Sequence, residues 1–166
     1  MAMVTKADFT PEEWNVLLAG PMLAGMAVTL AEPSGLFGML QEGWANARSM
    51  LGAKSDPMAS PLAKAIAEDF ATSDGRHAAQ AFVKAHLTGK GAGELKLQVI
   101  DALGQVATVL DAKAAADAPA VKAWLNQTAR SVAEASTEGG FLGFGGVAVS
   151  DAEKASLEDV AKALRA

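Results

Sequence analysis

Cysteine is absent from the 166 residues, and so is tyrosine. Without thiols there is no disulfide, no thiolate metal site and no cysteine nucleophile, and the chain suits a reducing compartment. Aromatic residues of all kinds make up only 5%. β-Branched residues are few as well, so the usual material of a sheet is scarce. Lysine and arginine never cluster, which withholds the electrostatic footprint of a nucleic-acid binder. Long apolar runs are missing too. The longest uncharged one, Val16 to Ala31, falls short of the ~20 residues that span a bilayer and is interrupted at Gly20-Pro21. It reads instead as a helix buried on all sides. The opening MAMVTKADFTPEEW carries acids where a signal peptide needs an apolar core, so a cytoplasmic location is expected.

Hydrophobic residues make up 51% of the chain and charged residues 20%, which excludes a disordered polymer and leaves ample material for a core. The apolar set is rich in Ala, Leu and Met, residues that lose little freedom in a helix. The length fits one domain over 1–166. Net charge is −5, with most of the acidic excess before Val83.

Taken in order, the chain predicts about seven helices. Thr10-Pro11-Glu12-Glu13 is a capping box with proline at the first helical position. The helix it starts runs through Trp14, Leu17, Leu18, Met22, Met26 and Leu30, with a kink expected at Pro21. A second helix is expected from Leu36 to Leu51 and a third from Ser60-Pro61, with Leu62, Ile66 and Phe70 on one face. The fourth follows Ser73-Asp74-Gly75, where Asp74 is the expected cap, and reaches about Leu87. Leu95, Val99, Leu103, Val106 and Leu110 give the fifth the most regular apolar face, widened by Ile100 and Ala107. A sixth starts near Pro119 and turns Val121, Trp124, Leu125, Thr128 and Val132 inward. Ser150 to Glu153 is a second capping box and opens a last helix bearing Leu157, Val160, Ala161 and Leu164. Antiparallel helices with short connections pack as a compact all-α bundle.

One pattern recurs. AEPSGLFG at Ala31–Gly38 is echoed by AEASTEGGFLG at Ala133–Gly143, a weak internal repeat that relates the two ends of the chain, 11–51 and 120–166. The second copy runs into a glycine-rich stretch. It has no Walker lysine, no dinucleotide spacing and no preceding strand, so it reads as a loop. Phe141, Leu142 and Phe144 within it either fold back over the core, which is the expectation, or offer an apolar patch for a protein partner or self-association.

Several side chains invite chemistry. His77 and His86, nine residues apart, point to different sides of one helix and lack the companion ligands of a zinc or di-iron site. Asp69, Asp74 and His77 are close enough in sequence to gather at one helix junction. Around the repeat, Glu32, Glu42, Glu134, Glu138, Asp151 and Glu153 could converge on calcium or magnesium. The plainer reading gives Asp151 and Glu153 to the helix start and leaves the others in solvent. Met22, Met26 and Met39 could line an adaptable apolar pocket, although methionine at helical spacing is commonly core.

The segment GGVAVSDAEKASLEDVAKAL resembles the C-terminal signature of the tellurite-resistance TerB-like family. Ser150, Glu153, Leu157, Val160, Ala161 and Leu164 match its Ser-x-x-Glu start and the apolar helix that follows. AVTLAEPSGLFGMLQE is similar in a looser way, with Glu32, Gly35 and Glu42 near the acidic and glycine positions. The family's Ala-Asp-Gly turn is absent at both ends, and the middle of the chain has no counterpart. The resemblance implies an all-helical domain of about seven helices with an acidic, cation-binding surface, linked to stress responses and protein assemblies. No nucleophile–base pair can be named, so a non-enzymatic role binding a protein partner or a divalent cation is expected. The alternative is a helical carrier or enzyme with an apolar small-molecule pocket.

Overall fold

The structure, a computed structural model, describes residues 4–30, 60–138 and 151–165. They form a short 3-10 turn, Lys6–Asp8, and six α-helices: α1 (Pro11–Thr29), α2 (Pro61–Ala71), α3 (Ser73–His86), α4 (Ala92–Lys113), α5 (Ala118–Glu138) and α6 (Asp151–Leu164). No strand occurs among the described residues, so the protein is an all-α helical bundle. The helix expected over 36–51 lies outside them, as does the whole first copy of the repeat, Ala31–Gly38.

Local chemistry sets the helix starts. At α1 the Thr10 hydroxyl accepts from the Glu13 N–H at 3.1 Å and the Glu13 carboxylate accepts from the Thr10 N–H at 2.9 Å. Both donors would otherwise be orphaned at the helix end. Ser60 caps α2 ahead of Pro61. The start of α3 corrects the expectation for Asp74. The cap is Thr72, whose hydroxyl accepts from the Gly75 N–H at 3.0 Å and donates to the Asp69 carbonyl at 2.6 Å. Gly75 is buried against that carbonyl, and a Cβ there would overlap it. Ahead of α1, hydrogen bonds from the Thr5 backbone and then its side chain hold the Asp8 carboxyl below its ordinary range.

Packing is organised around α1. The helix continues through Pro21 to Thr29 and packs against each of the other five. From Val16 to Val28 every residue is buried except Met22 and Met26, which are half-buried. That agrees with a helix enclosed on all sides. Around it, α2 contributes Leu62, Ile66 and Phe70, and α3 contributes Ala79. Val99, Leu103, Val106 and Leu110 of α4 are fully buried, as the period predicts, while Leu95 and Ile100 flank the face half-buried. From α5 come Val121, Trp124 and Leu125, and from α6 Val160 and Leu164. These residues form one continuous hydrophobic cluster. Among the described residues no helix is long and apolar enough to cross a membrane.

Candidate functional site

The expected metal ligands divide into two groups. Glu32 and Glu42 lie outside the described residues. Glu134 and Glu138 sit on successive turns at the C-terminal end of α5, and Asp151 and Glu153 sit in the first turn of α6. These two helices pack against each other and are consecutive in the chain. Backbone dipoles act oppositely at the two ends: the α5 C-terminus favours a cation, whereas the α6 N-terminus favours the acids themselves. Phe141, Leu142 and Phe144 lie in the connection between them, outside the described residues.

The junction imagined for Asp69, Asp74 and His77 is built differently. His77 is exposed, and among the described residues no three His, Asp or Glu gather in a way that could hold a metal. Asp69 instead joins three parts of the chain. Its carboxylate accepts from the Trp14 indole N–H at 2.6 Å and from the Lys6 ammonium at 2.9 Å, with the Thr72 hydroxyl at 3.4 Å. Partial burial pushes its carboxyl up, but the bonds from Trp14 and Lys6, the Lys6 charge and Thr72 together outweigh that and hold it below the ordinary aspartate value. Phe9 packs on Trp14, with ring centroids 5.6 Å apart. The node pins the start of α1 to the α2–α3 corner. His86 likewise serves its own helix, stacked on Phe82 at 4.0 Å with Nδ1 2.9 Å from the Phe82 carbonyl.

A second polar node lies across the molecule's α4–α5 turn. Lys122 is buried on α5, and its ammonium donates to Asp111 of α4 at 2.7 Å. Arg165, just beyond α6, reaches the other oxygen of Asp111 at 3.7 Å. Beside this node runs a groove of about 500 Å³ lined by Lys122, Asn126, Gln127, Arg130 and Arg165. Pro119 and Ala123 add its apolar surface. Among the described residues no carboxylate lines it. Arg130 has no carboxylate partner among the described residues.

Among the described residues, two buried polar atoms have no hydrogen-bond partner: the Trp124 indole nitrogen and the Ser156 hydroxyl. Trp124 is buried as its stripe predicts, so the apolar ring outweighs the unsatisfied N–H there. Sequence reasoning missed both nodes. Asp111 and Lys122 flank one short helix connection, and that acid–base spacing was a usable signal. Asp69 offered none, because Trp14 and Lys6 are brought to it from far along the chain. Among known proteins, no family model matches the chain, and no curated protein or solved structure matches it.

Proposed function

We propose that this chain is a non-catalytic, TerB-like helical binding domain of the cytoplasm that takes up a divalent cation, calcium or magnesium, and docks a protein partner. The supporting observation is the placing of Glu134 and Glu138 at the end of α5 and of Asp151 and Glu153 at the start of α6, on two helices that pack together. Hard cations take several carboxylate and carbonyl oxygens. Glu32 and Glu42 would add to the set, as the resemblance of the first unit implies. For the partner, the contact that the sequence leaves open is Phe141, Leu142 and Phe144, in the connection between the same two helices, where they do not fold back over the core. Other described acids are engaged within the fold itself. Glu13 closes a cap, Asp69 takes several donors and Asp111 pairs with two cations.

Thermal melting tests the cation. Calcium or magnesium should raise the Tm, since a ligand bound only by the folded state stabilises it. The double variant Glu134→Gln/Glu138→Gln should lose the rise; no rise at millimolar metal in the unaltered protein contradicts the reading. With the rings folded over the core, as the sequence leads us to expect, Phe141→Ser with Phe144→Ser should lower the Tm; an unchanged Tm with lost association would assign them to the partner instead. A second reading rests on Met22 and Met26, the half-buried pair one turn apart in the otherwise buried stretch from Val16 to Val28. An apolar-ligand carrier would bind an apolar fluorophore saturably and lose it on Met22→Lys.

A further inference from the structure

We infer that the groove along α5 is a binding site for a small anionic molecule bearing a phosphate or carboxylate group, gripped by Arg130 and Arg165. The charge balance carries the argument. Three cations, Lys122, Arg130 and Arg165, line the groove, and among the described residues no carboxylate does, in a chain whose net charge is −5. Asp111, itself exposed, cannot neutralise all three. Its short bond, 2.7 Å, goes to the buried Lys122, and it meets Arg165 only at 3.7 Å. The Lys122 ammonium is therefore committed to holding α4 against α5, which leaves the Arg130 guanidinium without a carboxylate among the described residues and Arg165 held only by the longer 3.7 Å contact. Planar guanidinium forks match phosphate and carboxylate oxygens in pairs.

Two further features point the same way. Arg165 adopts φ 56°, the left-handed position after a helix where glycine is usual, so an arginine here works against backbone preference. The groove also follows α5 from Pro119 to Arg130, a stretch of the helix with no acidic residue. Asn126 and Gln127 add neutral donors and acceptors for the rest of the ligand, and Pro119 and Ala123 give it an apolar rest. A concavity of about 500 Å³ has the size of a small-molecule site and not of a protein footprint. This site stands apart from the cation reading and uses none of its carboxylates.

Isothermal titration at low ionic strength tests it with two probes, pyrophosphate for the phosphate source and citrate for the carboxylate source. One-site saturable binding of either is expected, weakened by added salt. Arg130→Gln with Arg165→Gln should weaken it about tenfold or more. Lys64→Gln, which removes an exposed cation on α2, should leave binding unchanged. Both arginines are surface groups, and an unchanged circular dichroism melt of the double variant confirms that folding is kept. Preference for pyrophosphate would assign a phosphorylated ligand, and preference for citrate a carboxylate one. Saturation by neither probe, or undiminished binding in the double variant, overturns the proposal.

Discussion

Helices α1 and α4 both run through the core, yet they meet solvent differently. On α4 one face is buried, through Val99, Ala102, Leu103, Val106, Ala107 and Leu110, while Glu94, Leu97, Asp101 and Thr108 are exposed. On α1 the buried positions go right round the helix from Val16 to Val28, save for the half-buried Met22 and Met26. An amphipathic helix carries its own orientation in its period. A uniformly apolar one does not, and takes its position from the neighbours that wrap it. The small residues Ala19, Gly20, Ala24, Gly25 and Ala27 let those neighbours approach closely, and all of them are buried.

The largest expected difference between the two helices comes from leucine truncation. Leu23 on α1 is fully buried, so Leu23→Ala should cost about 2–5 kcal/mol in urea unfolding. Leu97 on α4 is 73% exposed, and Leu97→Ala should stay within about 0.5 kcal/mol. Equal losses at the two sites would erase the distinction.

The anchor at the start of α1 comes next. Asp69→Ala leaves the indole N–H of the buried Trp14 without its acceptor and should cost about 1–3 kcal/mol. The pH dependence has a definite sign. The Asp69 carboxyl is held below its ordinary value when folded, so its contribution is complete above the usual aspartate pKa of ~3.9 and fades as pH falls through the folded value. Melting curves of the unaltered protein and of Asp69→Asn should therefore differ at neutral pH and converge in acid. A gap that widens on acidification contradicts the assignment.

The smallest effects should have opposite signs for one and the same substitution. A Cβ at Gly20 on α1 would sit 3.2 and 3.3 Å from the two methyl carbons of Leu125. Gly20→Ala should thus lower stability by about 1 kcal/mol, the cost of crowding outweighing the helix-propensity gain. At Gly104 on α4 a Cβ would meet nothing within 4 Å. Gly104→Ala should raise stability by about 0.5–1 kcal/mol and with it the Tm.

What could be read from the sequence follows the same division. The Thr10 and Ser60 caps, the α4 stripe and the buried Trp124 were legible because each rests on residues within a few positions of one another. The enclosure of α1 was legible only through the missing charges between Val16 and Ala31. Thr72, Ser73 and Asp74 are all competent caps, and the choice of Thr72 depends on how Gly75 seats against the Asp69 carbonyl. The Asp69 node and the groove at Arg130 and Arg165 depend on helices docking over long sequence separations, which no local pattern encodes. Of the carboxylates around the repeat, only the ends of α5 and α6 can be followed into the fold.

Native-state hydrogen exchange tests the central place of α1 most directly. If the other five helices enclose it, the amides from Leu17 to Val28 (Pro21 has none) have no route to solvent short of losing that wrapping. They should exchange with the free energy of global unfolding measured in urea. Amides near Leu97 and Asp101, on the exposed side of α4, should open at lower free energy. Exchange of the α1 amides by a cheaper local opening, ahead of those of α4, would contradict the account.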